Sequence, residues 1–192
     1  MLNLRKCGHK DLERYYSLLE MDFAKEEIIS KLSLHRALLN GSAELLVVYD
    51  EESSLEVAYA LVLTKNLYVL LKYMAVLPWY RGKGVGIAAM RLINKRYADR
   101  QGIIAELTSF EDEDGSMIKG LRKFFARFGY VVVDSDYRIG GAPVELMVKP
   151  IKGTFEIEPV EHRIIRDFYT RILNPFAMDK MIDIRPVRKP EE

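Results

Sequence analysis

The sequence predicts a mixed α/β domain: a central mixed sheet of about six or seven strands, flanked by helices, with one parallel βαβ unit inside it. Three observations predict this. Apolar residues recur at helical spacing in some stretches and as strand-like runs in others. Two of the strand-like runs are joined by a short polar segment, EESS, as in an antiparallel hairpin. A glycine-rich stretch, "VLPWYRGKGVG" at 76–86, lies between a strand-like run and a helical one, and another strand-like run follows.

The elements follow in order. Residues 10–23 carry Leu12, Tyr15, Tyr16, Leu19 and Phe23 at the i, i+3, i+4, i+7 spacing of an amphipathic helix. Residues 25–39 repeat the pattern with Ile28, Leu32 and Leu39, and Asn40-Gly41 supplies the stop. "ELLVVYD" and "LEVAYALVLT" form the hairpin, and "YVLLKYMAVLP" is a third strand that Pro78 ends. Helical spacing returns from Gly86 to Ala98 with Ile87, Met90, Ile93 and Tyr97 on one face. "IIAELTSF" is a strand, and residues 116–128 are a helix with Ile118, Leu121, Phe125 and Phe128 inward. "YVVVDSDY" and "VELMVK" pair around the Gly140-Gly141-Ala142-Pro143 turn. Residues 159–173 form one more helix with Val160, Ile164, Phe168 and Ile172, and the tail IRPVRKPEE frays. The expected organisation is a domain over 1–150 and a C-terminal extension over 151–192 with one helix and a flexible tail.

Composition narrows the function. The 192 residues are enough for one sizeable core. A net charge of +1 gives no bulk attraction to nucleic acid or an anionic membrane. One cysteine, Cys7, excludes an intramolecular disulfide and a cysteine-based metal cluster. His9, His35 and His162 lack metal-ligand spacing, so no metal is expected. The N-terminal stretch has no apolar h-region and no membrane-length run, which predicts an intracellular, cytoplasmic protein.

The glycine stretch carries the chemistry. A helix N-terminus has unsatisfied N–H groups and a partial positive charge, so it suits an anion. Gly82, Gly84 and Gly86 let several amides converge on a phosphate, and Arg81 and Lys83 add formal charge. A diphosphate-bearing ligand follows; the plainer reading is a tight strand-to-helix connection with solvated cations. The Walker pattern fails, because a glycine follows Lys83 where it needs Ser or Thr. A dinucleotide fingerprint fits better: Gly84, Gly86 and Ala89 match G-x-G-x-x-A, with Glu106 at the distance of a ribose-binding acid. Against it, LPWYR intervenes between strand and glycines, and two antiparallel-looking strands come first.

Arg81-Gly82-Lys83-Gly84-Val85-Gly86 also matches R/Q-x-x-G-x-G/A, and "YMAVLPWYRGKGVGIAAM" as a whole resembles the strand, loop and helix of the GNAT N-acetyltransferase family. "LRKFFARFGY" is similar to that family's later "FYEKLGF" segment, and the hairpin to its second and third strands. The likeness covers residues 1–150.

The resemblance implies an acyl-CoA-dependent N-acyltransferase that uses acetyl-CoA as co-substrate and no metal. The acyl-CoA would lie in a split between the fourth and fifth strands. Met74, Ala75 and Val76 would offer backbone to the pantetheine arm, and residues 81–86 would hold the pyrophosphate. Catalysis then needs a proton acceptor and donors for the developing oxyanion. Glu106, on the fifth strand, is the candidate base, weighed against an ion-paired structural glutamate. Many relatives have a tyrosine second in "FYEKLGF" to protonate the thiolate; here that position is Phe125. Tyr73 and Tyr130 are the substitutes, with unassisted departure of the thiolate to water as the alternative. The acceptor is an unidentified small-molecule or peptide amine, and a homodimer is left open. A non-catalytic acyl-CoA-binding module and a Rossmann-type oxidoreductase are the rival readings.

Other residues carry plainer expectations. His35 reads as half-buried, Cys7 as a small buried residue, and Trp79 and Tyr80 as packing on the next helix. Lys119, Arg122, Lys123 and Arg127 make a basic face that reads either as solvated or as a contact for a coenzyme phosphate. Glu26 and Glu27, in the join between the first two helices, are helix-start charges or amine-recognising groups. The run Glu111-Asp112-Glu113-Asp114 reads as solvated loop.

Overall fold

Strand-like runs give strands throughout, and the computed structural model, which describes residues 1–65, 67–108, 115–133, 135–152 and 160–185, joins nine of them. The first half of the chain runs β1 (Leu2–Cys7), α1 (Leu12–Asp22), α2 (Lys31–Leu39), β2 (Ala43–Asp50), β3 (Glu56–Lys65) and β4 (Tyr68–Val76). Next come α3 (Val85–Arg96), β5 (Gly102–Thr108), α4 (Ser116–Ala126), β6 (Val131–Val133), β7 (Asp136–Ile139) and β8 (Ala142–Pro150). The chain then forms α5 (Val160–Thr170), α6 (Pro175–Met181) and β9 (Ile182–Arg185). The sheet order is β1-β2-β3-β4-β5-β8-β7-β9, and β6 also pairs with β8. Among the described residues β4 and β5 are the parallel pair, linked by α3 as a βαβ crossover; the other pairs are antiparallel.

Nine strands exceed the expected count for local reasons. The β1 run, LNLRKC, is too polar to announce itself, and it forms an edge strand on β2. "YVVVDSDY" does not stay one strand: β6 and β7 pair with different parts of β8. The C-terminal stretch holds two helices and a strand rather than one helix. Asn174 caps α6 by accepting from the Ala177 N–H, Pro175 takes its first turn, and β9 pairs with β7. Residues 186–192 of the expected tail lie outside the described residues.

Helices cover both faces of the sheet. One face packs Leu12 and Leu19 of α1, Leu34 of α2, and Phe168 and Tyr169 of α5 into a common core. The other packs Met90 and Ile93 of α3 and Phe125 of α4 against β4 and β5. The stripe expected on α2 is out of phase: Leu32 is 60% and Leu39 57% exposed, whereas Leu34, Ala37 and the preceding Ile29 are buried. Ser30 caps a helix that starts only at Lys31, and residues 25–27 make a separate 3-10 turn, so a phase counted from Ile28 does not carry through. Gly140, at φ +55° in the β7–β8 turn, lies so near the α1–α2 join that a Cβ there would sit 2.7 Å from the Glu26 backbone oxygen. No described helix is long and apolar enough to cross a membrane.

Candidate active site

A register break creates the site. β4 and β5 pair from Tyr68/Gly102 to Leu71/Ala105. Against β3, Tyr73 pairs with Leu61 and Leu71 with Val62, so Lys72 is the extra residue of a bulge. Beyond it β4 follows β3 while β5 follows β8, and the two strands part. A cavity of about 500 Å³ lies at the split. Glu20 and Asp22 at the end of α1 and Glu26 and Glu27 in the α1–α2 join form one wall. Met117, Leu121, Phe124 and Phe125 of α4 form another, and Lys72, Met74, Glu106 and Thr108 lie between.

The glycine loop leads from the end of β4 into α3. Gly82 and Gly84 have φ of +73° and +77°, a region that side chains rarely adopt, and a Cβ on either would meet nothing within 4 Å. Gly84 is the N-cap of α3, whose first amides follow it. Gly86 differs: a Cβ there would lie 3.6 Å from Val76 and 3.8 Å from Phe124, ordinary contact distances, so the packing of α3 on β4 and α4 does not require a glycine. Arg81 is an anchor. Its Nε donates to the Val76 carbonyl at 2.9 Å and its Nη2 to Asp22 Oδ1 at 2.6 Å. The Tyr59 hydroxyl donates to the other Asp22 oxygen at 2.9 Å. Lys83 is exposed, with its ammonium 5.9 Å from the Tyr80 ring centre. Trp79 does not pack on α3 as expected; it is 85% exposed. Open space beside two left-handed glycines at a helix N-terminus fits a pyrophosphate. Met74, Ala75 and Val76 pair with β3 on one side and have no β5 partner on the other.

Glu106 lies at the apex of the split, and the ion pair weighed against its role as base is present. Lys72 Nζ is 2.8 Å from Glu106 Oε2, and both side chains are 1% exposed. The Tyr137 hydroxyl donates to Oε1 at 2.8 Å, and the Tyr169 hydroxyl lies 2.8 Å from Oε2 and 3.0 Å from Oε1. Burial drives both tyrosine hydroxyls well above the ordinary phenol range. Sequence reasoning missed Lys72, although a lone cation inside "YVLLKYMAV" is a signal. Tyr137 and Tyr169 come from 31 and 63 residues away and carry no local signal.

Tyr73 is placed elsewhere. Its hydroxyl accepts from the Ile29 N–H at 2.9 Å and donates to the Glu27 carbonyl at 2.7 Å. Burial drives it well above the phenol range. It clamps β4 to the α1–α2 join and does not line the cavity. The Tyr130 hydroxyl donates to Asn94 Oδ1 at 3.0 Å. Phe125 does line the cavity, with no hydroxyl to offer. Glu27 is buried beside it; its carboxylate accepts from Thr108 Oγ1 at 2.7 Å and from the Ala24 N–H at 3.2 Å. On the basic face of α4, Arg122 binds Glu145 at 2.6 Å, while Lys119, Lys123 and Arg127 are exposed. His9 and His35 meet edge to face at 5.2 Å in a surface depression lined by neither strand of the split. Cys7 is half-buried, which pushes its thiol up. The run 111–114 and the His162 side chain lie outside the described residues. Among the described residues no cluster of His, Cys, Asp and Glu could hold a metal ion.

A sheet split at a bulge, with a glycine-rich anion loop beside it, defines the class: a GNAT acetyltransferase fold. The model of the acetyltransferase (GNAT) domain family matches residues 41–132. Solved structures agree on the fold. A Bacteroides thetaiotaomicron protein described as an acetyltransferase from the GNAT family shares 20% identity at a TM-score of 0.71, over 88% of this chain and 96% of that one. The Escherichia coli ribosomal-protein-S18-alanine N-acetyltransferase shares 15% at 0.60, over 81% and 97%. Arabidopsis thaliana NAA60, crystallised with acetyl-CoA, shares 14% at 0.59, over 80% and 100%. A search of curated proteins gives no match. The Rossmann-type reading is corrected: it needs a parallel, doubly wound sheet, and this sheet is antiparallel around one parallel pair.

Proposed function

We propose that the protein transfers the acetyl group of acetyl-CoA to a primary amine by direct attack. The observation that carries this is the parting of β4 and β5 at Lys72/Glu106 beside the open Gly82–Gly84 cradle. In this reading the amides of residues 81–86 hold the pyrophosphate, Lys83 adds charge, and Arg81 fixes the loop through Asp22. Met74, Ala75 and Val76 lie on the edge of β4 that β5 leaves and would meet the pantetheine arm there, with the Val76 carbonyl already held by Arg81 Nε. Acetyl-CoA supplies the activated thioester.

Glu106 accepts the ammonium proton of the attacking amine, displacing one of its present donors. Glu26 and Glu27, on the cavity wall, draw the cationic amine in. Neither Tyr73 nor Tyr130 is free to protonate the leaving group, since both hydroxyls are committed, so CoA departs as its thiolate and takes its proton from water. The amine, small or peptidic, and the cytoplasmic setting belong to the same proposal.

A second reading, an acyl-CoA-binding module without turnover, is favoured by one observation: every Glu106 oxygen already has a partner. Calorimetric titration with acetyl-CoA, CoA and NADH, followed by thiol release in the presence of an amine panel, separates the two. Binding of the CoA species with release on any amine supports the transferase. Binding without release on any amine selects the second reading, and a response to NADH alone defeats both.

A further inference from the structure

The residues that hold Glu106 come from separate parts of the chain, and one lies on the C-terminal segment. Lys72 reaches it from β4, Tyr137 from β7 and Tyr169 from α5. The Tyr73 ring flanks the same ammonium, 5.1 Å from Lys72 Nζ, and the Tyr169 ring lies 5.7 Å from it. Tyr169 is 0% exposed, and its hydroxyl meets both carboxylate oxygens. Hydrogen bonds to a buried carboxylate are charge-assisted and directional. Lys72 alone would leave Glu106 free to rotate about the one oxygen it binds; the two hydroxyls fix the plane of the carboxylate.

The segment bearing Tyr169 is itself held. Phe168 and Ile165 of α5 sit in the core, and Asp167 pairs with Lys65 of β3. β9 pairs with β7, the strand that carries Tyr137, and the Gly140 N–H donates to the Met181 carbonyl at 2.8 Å. The segment beyond residue 150 therefore reaches the split itself and lies outside the matched 41–132 stretch.

We propose that Tyr169, together with Tyr137, is a positioning residue that orients the Glu106 carboxylate, so that the C-terminal helix completes the active site. This rests on the reading of Glu106 as proton acceptor. A tyrosine serving the fold alone would affect stability; one that orients the base affects turnover.

The test uses the full chain and its Y169F, Y137F, E106Q and Y169F/E106Q variants. Thiol release from acetyl-CoA is followed with a panel of amines, spermidine among them, and with water alone, and acetyl-CoA affinity is measured by calorimetry. Y169F is expected to lower kcat about tenfold, a loss confined to the chemical step. Its affinity for acetyl-CoA should stay at the wild-type value, and it should add no further loss to E106Q. An unchanged kcat in Y169F while E106Q is impaired overturns this inference alone. So does a tenfold loss that persists in the E106Q background. If Y169F does not fold, Y137F is read in the same way; unfolding of both marks a purely structural cluster and overturns the inference. Full turnover in E106Q, or no thiol release from the wild-type protein with any amine of the panel, overturns the base reading and this inference with it.

Discussion

Lys72 and Glu106 meet at 2.8 Å in the first position past the last paired residues of β4 and β5, with both side chains buried. Removing one partner of such a pair leaves an uncompensated charge, which costs about 3–5 kcal/mol. Lys72→Met should therefore lower Tm by roughly 6–20 °C for a chain of this size. Glu106→Gln leaves the Lys72 ammonium buried without its counter-charge and should lower Tm by a similar amount. Small shifts in both by calorimetry would show that the pair does not hold the strands at the split.

Gly84 and Gly86 should respond in opposite ways to the same substitution. Gly84 has φ +77°, so Gly84→Ala costs about 1–2 kcal/mol in backbone strain and puts a methyl into the cradle. Acetyl-CoA affinity should fall at least about tenfold, equivalent to a loss of about 1.4 kcal/mol. Gly86 lies in the first turn of α3 with ordinary contact distances around its missing Cβ. Gly86→Ala should leave Tm unchanged or raise it, because alanine favours helix by about 1 kcal/mol. Thermal melts and acetyl-CoA titration of both variants decide this.

Tyr73→Phe removes one hydroxyl that serves two backbone groups, the Ile29 N–H and the Glu27 carbonyl. Stability should fall by about 1–3 kcal/mol, the cost of leaving buried polar groups unpaired. Per folded molecule, kcat should hold near the wild-type value. A large drop in kcat with Tm unchanged would restore Tyr73 as a proton donor.

Glu44 on β2 makes stability fall in acid. Burial pushes its carboxyl up, but the hydrogen bonds from Tyr97, Arg96 and Lys6 outweigh burial and hold it below the ordinary carboxylate range. With the folded value below the unfolded one, this stabilisation is fully present above about pH 4.3. It is lost as pH falls through the folded value. Glu44→Gln should flatten that acid loss in urea melts taken between pH 3 and pH 6; an identical slope in both proteins would rule Glu44 out as its source.

Much of this architecture is legible locally. The runs that became β2, β3, β4 and β5 are rich in β-branched and aromatic residues, and Met90 and Ile93 mark the buried face of α3 at helical spacing. The glycine loop was readable because positive φ leaves a compositional trace. The apex of the site was not. Glu106 gives no hint of Tyr169, 63 residues on, because register and helix docking bring them together. The bulge at Lys72 is equally silent, since it arises from how β4 is shared between β3 and β5.

Trp79 is the single tryptophan of the chain, 85% exposed and two positions before Arg81. An indole so placed emits as a fully hydrated fluorophore and stands next to the cradle. The protein thus carries an intrinsic optical gauge of its own loop. Quenching or a blue shift on adding coenzyme would report occupancy of the cradle without a label, an engineered residue or a known acceptor.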